Sequence, residues 1–131
     1  MCGSQNGSAT AGLVAGGGPT RTVNAESWDG SSWTEVANLS VARDELSGSG
    51  TSTAMLAYGG GTPSKSAVTD EWDGSSWTAV ASISTARTLI SRSIGGAPAT
   101  LAIGGITAPG AKTANTEEWT VATAAVTFTS S

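Results

Sequence analysis

Glu71-Trp72-Asp73-Gly74-Ser75-Ser76-Trp77-Thr78 repeats Ser27-Trp28-Asp29-Gly30-Ser31-Ser32-Trp33-Thr34 almost letter for letter, 44 residues later. A pattern this specific, recurring at a period in the forties, marks a chain built from stacked structural repeats. A third copy opens at Glu117-Glu118-Trp119, 47 residues after Trp72. Within the motif, Asp-Gly between two Trp-bearing segments reads as a hairpin turn, since both residues tolerate positive φ.

Outward from each Trp the same order of features returns. Upstream lie Leu13-Val14-Ala15-Gly16-Gly17-Gly18, Leu56-Ala57-Tyr58-Gly59-Gly60-Gly61 and Leu101-Ala102-Ile103-Gly104-Gly105. Between copies, Val41-Ala42-Arg43-Asp44 is matched by Thr85-Ala86-Arg87-Thr88. The second copy divides into four strand-length pieces: 45–52 of small residues, 53–61 apolar, 66–73 with the first Trp and 76–83 with the second. The first copy begins the same way, with a strand over 2–8. The chain is therefore expected to be all-β, one repeat domain over 1–131 made of three four-stranded antiparallel units at 1–40, 41–84 and 85–131. Side-chain sizes describe a wedge. Strand one is nearly all Ser, Gly and Thr, as suits a crowded central axis, whereas Trp33 and Trp77 stand on strand four at the wide rim. Strand two is apolar on both faces, as a strand sandwiched between neighbouring sheets should be.

The recurring order of double glycine, aromatic, Trp, then Arg before the next strand resembles the Kelch repeat, over the whole chain. The resemblance implies a β-propeller, with three four-stranded blades forming half of a six-bladed ring. Two departures stand out. The strand-three aromatic, commonly Tyr in the family, is Trp here. The third copy lacks the Asp-Gly turn and the second Trp, leaving Phe128 as the only large aromatic over 124–131. A degenerate last copy is what a terminal, capping repeat shows. The near-identical copies with Ser/Thr/Gly-rich linkers are also similar to propeller segments of viral and environmental bacterial surface proteins, which points to a virion or cell-surface setting.

Composition narrows the function classes. The 131 residues suffice for a core. With 38% hydrophobic residues and a net charge of −4, the chain lies outside the disordered class. A pI near 4.5 argues against a nucleic-acid partner. Cys2 is the only cysteine, which excludes an intrachain disulfide. No apolar run approaches a membrane span. Met1-Cys2-Gly3-Ser4-Gln5 carries neither the basic nor the apolar part of a signal peptide, so export is expected by lysis, in a particle, or within a longer chain.

Catalytic chemistry is short of parts. With no His, the commonest general base and metal ligand is absent. The copper site of the Kelch-type radical oxidases that resemble galactose oxidase needs imidazoles, tyrosines and a thioether-linked cysteine, and Tyr58 and Cys2 alone do not supply it. The carboxylate pairs Asp44-Glu45, Asp70-Glu71 and Glu117-Glu118 are adjacent on strands and point to opposite faces, so they read as structural. No glycine cluster is followed by the Lys-Ser or Lys-Thr of a phosphate loop. The regularly spaced Trp read as packing between sheets rather than as sugar platforms. No catalytic residue, metal or cofactor is expected.

The basic residues carry the remaining positional signal. Arg21, Lys65 and Lys112 fall in the loops from strand two to strand three, one per copy. Arg43 and Arg87 fall in the linkers between copies, which emerge at the same end. Arg92 lies on an inner strand, and Asp29 and Asp73 occupy the opposite turns. Arg21, Lys65, Lys112, Arg43, Arg87 and Arg92 are thus the candidate ligand-binding residues, and an anionic ligand is expected on the face built from loops 19–24, 62–67 and 106–115, with Arg21, Lys65 and Lys112 contributing. For Arg43 and Arg87 a structural role, tying the crossing between repeats to backbone carbonyls, is the stronger reading. The function expected is a non-catalytic binding or assembly module presenting loops to a glycan, receptor or protein partner. The alternative is an accessory propeller of an enzyme whose catalytic residues lie elsewhere. Since rings need about four to eight blades, three leave an open face at each end, and a homodimer closing a six-bladed ring is expected.

Overall fold

The computed structural model describes residues 1–3, 7–90, 94–96, 99–122 and 125–130, with the backbone alone for 94, 96, 121–122 and 125–130. Four strands, β1 (Cys2–Gly3), β2 (Gly12–Ala15), β3 (Ala25–Trp28) and β4 (Trp33–Val36), form a first antiparallel sheet in chain order. A second follows from β5 (Ser47–Gly50), β6 (Met55–Tyr58), β7 (Thr69–Trp72) and β8 (Trp77–Val80). Then come β9 (Arg87–Thr88), β10 (Ile94–Gly96), β11 (Ala99–Ile103), β12 (Ile106–Thr107), β13 (Ala111–Lys112), β14 (Thr116–Ala122) and β15 (Ala125–Ser130). The third four-stranded sheet has the order β10-β11-β14-β15, and β13-β12-β9 make a small sheet of their own. Among the described residues there is no helix.

Register repeats with the sequence. Gly12, Trp28 and Trp33 stand side by side across the first sheet, as Met55, Trp72 and Trp77 do across the second. In the third sheet Trp119 pairs with Phe128. The small extra sheet was not expected from the sequence, yet it elaborates a shared feature. Thr88 pairs with Ile106 and Ile106 with Lys112, where the second repeat has the single bridges Asp44–Gly61 and Gly61–Lys65.

The three large sheets bury two cores between them. Leu13, Ala15 and Ala25 of the first sheet pack with Met55, Ala57 and Trp72 of the second, together with Cys2, Leu39 and Leu46. Leu56 and Tyr58 point the other way, to Ala102 and Trp119 of the third sheet, with Ile83 and Ile90. Every residue of β6 is therefore buried, whereas in β2 only alternate residues are. This is the difference between a strand covered on both faces and one covered on a single face.

The inner strands approach closely, with β5 lying against both β1 and β10. A Cβ on Gly48 would stand 3.0 Å from the Leu56 carbonyl and 3.1 Å from Cys2 Sγ, so the small residues of this strand are a packing requirement. Ser49 and Thr100 share a hydroxyl hydrogen bond across the gap.

Buried arginines tie the sheets together. Arg43, in the linker from the first sheet to the second, donates to the carbonyls of Gly59 (3.0 Å), Ala57 (3.1 Å) and Val68, and to Asp70 Oδ2 at 2.5 Å. Arg87, in the next linker, donates to the carbonyls of Asn115 (3.2 Å) and Ala102 (3.5 Å) and lies 3.1 Å from Glu117 Oε1. All four charged side chains are buried. A buried charge is tolerated only when paired and hydrogen-bonded, and here each linker cation finds a strand-three carboxylate.

The Asp-Gly turns close differently from expectation. Only the glycines take positive φ, 101° at both Gly30 and Gly74. The aspartates act through their side chains: Asp73 Oδ1 accepts from the N–H and hydroxyl of Ser75 and the N–H of Ser76, and Oδ2 from the Ser76 hydroxyl. Asp29 does the same with Ser31 and Ser32. The motif Asp-Gly-Ser-Ser is a carboxylate-capped turn, in which the two serines carry as much of the specificity as the glycine.

Candidate functional site

Glycines aim the loops that follow strand two. Gly59 has φ 66°, and Arg87 O lies 2.7 Å from where its Cβ would be, so no other residue fits that turn. The chain then leaves the sheet at the end where the linkers cross. Arg43 N donates to Thr22 O at 3.3 Å and Arg87 N to Ser66 O at 3.1 Å, so loops and linkers meet there as the sequence implied.

Between them lies a cleft of about 360 Å³. Arg21 contributes from the first loop, Asp44 and Glu45 from the linker, Thr62, Pro63, Ser64 and Lys65 from the second loop, Thr88 from β9, and Ala108 and Pro109 from the third. Arg21 Nε pairs with Asp44 Oδ1 at 3.3 Å, with the two side chains 43% and 27% exposed. Lys65 Nζ donates to Thr88 Oγ1 at 3.2 Å. Thr62 Oγ1 donates to Ser64 O at 2.9 Å and shapes the loop locally. Glu45 takes a left-handed φ of 49°, but so does Leu89, its counterpart in the next linker, at 48°. That strain belongs to the repeat and does not mark the cleft as special.

Two cations and two carboxylates thus face one concavity, a balanced surface with hydroxyls and backbone groups between the charges. Of the sequence candidates, Arg21 and Lys65 come together here. Lys112 is exposed on β13 and does not line the cleft. Arg43 and Arg87 are fully buried on their carboxylate partners and make no contact with it, in agreement with their structural reading. Arg92 lies outside the described residues. Sequence reasoning missed Asp44, Glu45 and Thr88 as lining residues, and it missed Asp70 and Glu117 as arginine partners. For the last two a signal exists, because an acidic residue stands two places before the strand-three Trp in every copy: Glu26, Asp70 and Glu117.

Cys2 is buried, and burial pushes its thiol up to about 12, which leaves no thiolate at neutral pH. Among the described residues no three His, Cys, Asp or Glu side chains are grouped to hold a metal, and no helix is long and apolar enough to cross a membrane.

No protein-family model matches the sequence, and no curated protein matches it. Among solved structures, the chain is similar to the one described as "Structure of YjhT", with a TM-score of 0.81 and 18% sequence identity. The likeness covers 98% of this chain and 44% of the other, so the chain spans less than half the length of the protein it matches. At that identity the likeness is one of fold.

Proposed function

We propose that the chain is an assembly module, three Kelch-type β-propeller blades that complete a six-bladed ring with a second copy of themselves and present the loop-end cleft to a ligand. One observation carries this reading. Trp28 and Trp33 are held 5.4 Å apart at 43°, and Trp72 and Trp77 have the same separation and tilt. The second pair packs into the core between the first and second sheets, yet Trp33 is 50% exposed. The outer face of the first sheet is therefore a repeat of the surface on which the second sheet receives Leu13, Ala15 and Ala25.

The opposite end supplies what that surface accepts. Leu101 and Ile103 stand where Leu56 and Tyr58 stand one repeat earlier, and they remain partly exposed. A face of one kind at one end and its complement at the other leads to head-to-tail packing, which a twofold axis closes into a ring. A fold that accounts for 44% of the similar chain is in keeping with two such units completing one body. Light scattering on the purified chain is expected to give twice the 12.8 kDa chain mass. A stable monomer at micromolar concentration overturns the reading, and a trimer overturns the six-blade count.

The cleft, with Arg21 and Lys65 as donors and Asp44 and Glu45 as acceptors, suits a polar ligand such as a glycan better than a simple anion. Screening glycans against the chain and its Arg21→Ser/Lys65→Ser variant tests this. Binding that survives both changes places the site elsewhere.

A further inference from the structure

The two buried arginines occupy equivalent sockets of backbone carbonyls and one carboxylate. For Arg43 these are Ala57, Gly59, Val68 and Asp70. Arg87 touches Ala102, Asn115 and Glu117, and Gly104 holds the place of Gly59 by register, its N–H closing onto Asn115 O at 2.9 Å. In the first sheet the counterparts by register are Val14, Gly16, Asn24 and Glu26, and Gly16 N–H again closes onto Asn24 O at 2.9 Å. Two of the four, Asn24 and Glu26, are identical to those around Arg87.

All four line one cavity of about 210 Å³ at the open face of the first sheet. Met1 also lines it, but no arginine or lysine among the described residues does. The exposed carboxylate of Glu26 has no ion-pair or hydrogen-bond partner among the described residues, and the residue directly across the ladder from it is another carboxylate, Glu35. Opposed like charges are unfavourable on a sheet face. A guanidinium seated between the carbonyls and Glu26 would pair that carboxylate as Arg87 pairs Glu117. At the edge of the cavity stands Gly18, the counterpart of Gly61, whose N–H and C=O both pair with Asp44 beside Arg43. The socket therefore comes with a backbone edge ready for an extended segment.

We propose that this cavity is a guanidinium-binding site that takes an arginine delivered on an extended polypeptide segment of the kind found in the chain's own linkers. It is a docking point for another arginine-bearing repeat, on the same face of the first sheet that the dimer proposed above would cover.

The test uses a fluorescent peptide of residues 82–89, Ser82-Ile83-Ser84-Thr85-Ala86-Arg87-Thr88-Leu89, titrated against the full chain. Saturable binding of one peptide per chain is expected. Arg87→Gln in the peptide, or Glu26→Gln in the protein, should weaken it by about tenfold or more, the worth of a charge-assisted hydrogen bond. Glu35→Gln, on the same exposed face, should leave it within about twofold. Free arginine should compete, but weakly, because it lacks the backbone edge. Thermal melts confirm that the variants fold. Absence of saturable binding up to millimolar peptide, or equal binding by the Glu26→Gln chain, overturns the proposal. A chain that dimerises, yet fails to bind the peptide even when diluted to monomer, sinks only the socket, and a monomer that binds it and never dimerises sinks only the ring.

Discussion

Arg43 Nη2 and Asp70 Oδ2 lie 2.5 Å apart, and both side chains are fully buried between the first and second sheets. Burial lowers the guanidinium pKa, and the Asp70 carboxylate opposes that shift. An arginine still stays charged, so its stability rests on the carboxylate and on the three carbonyls around it. Asp70→Asn is expected to cost about 3–5 kcal/mol, the usual result of stranding one member of a buried pair. The double change Arg43→Met/Asp70→Leu should recover most of that loss, since an apolar replacement strands nothing. Urea melts of the three chains decide it. A single-variant loss below about 1 kcal/mol would mean that water reaches the pair.

Gly59 offers a test of backbone geometry alone. Gly59→Ala must place a methyl 2.7 Å from Arg87 O and 2.8 Å from Ile90 Cδ1, at φ 66°. Gly104 has nearly the same φ, 65°, but the nearest atom to its Cβ would be Thr113 O at 3.3 Å. Gly104→Ala is expected to cost about 1 kcal/mol, the conformational term. Gly59→Ala should cost about 2–4 kcal/mol, because a carbonyl of the next linker must also move. Equal losses in urea melts would show that the Arg87 segment yields freely.

The fold was largely legible because the copies report on one another. Trp28 and Trp72, with the same neighbours 44 residues apart, locate strands that the structure places within a few residues of the expected bounds. Two-residue strands such as β9 and β13 have no periodicity to read, so the small extra sheet was not. The site was less legible. Arg21 and Arg43 occupy the same end of the fold and look alike in sequence. Asp70, far along the chain, turns one inward, while Asp44 holds the other at the surface. The Asp-Gly turn was located correctly but through the wrong property, since Asp73 works by its carboxylate and not by its φ.

That carboxylate makes acid stability predictable. The Ser76 N–H, then the Ser75 N–H and hydroxyl, hold Asp73 down at about 2, and Ser32 and Ser31 do the same for Asp29. An unfolded aspartate titrates near ~3.9. Because the folded pKa is the lower, the contribution is fully present above about pH 4 and disappears as pH falls towards 2. Asp29→Asn/Asp73→Asn should therefore show a smaller fall in urea midpoint between pH 4 and pH 2 than the parent. An unchanged slope would assign the acid sensitivity of the fold to other carboxylates.

Trp33 and Trp77 occupy the same place in successive repeats, so one substitution at each separates folding from assembly. Trp77 packs on the core between the first and second sheets. Removing a half-buried Trp should cost about 2 kcal/mol, less than the roughly 3–5 of a fully buried one, at any protein concentration. Trp33 has the same geometry and no covering sheet among the described residues. Trp33→Ser should thus leave the unfolding free energy of the isolated chain within about 0.5 kcal/mol, as exposed positions do. Its effect should appear in mass instead, as a shift of the proposed dimer towards monomer on dilution and a midpoint that depends on concentration. Sedimentation across a hundredfold dilution, run beside melts at both extremes, separates the two variants. If Trp33→Ser stays as dimeric as the parent, the exposed tryptophan pair is not the surface that receives the second copy.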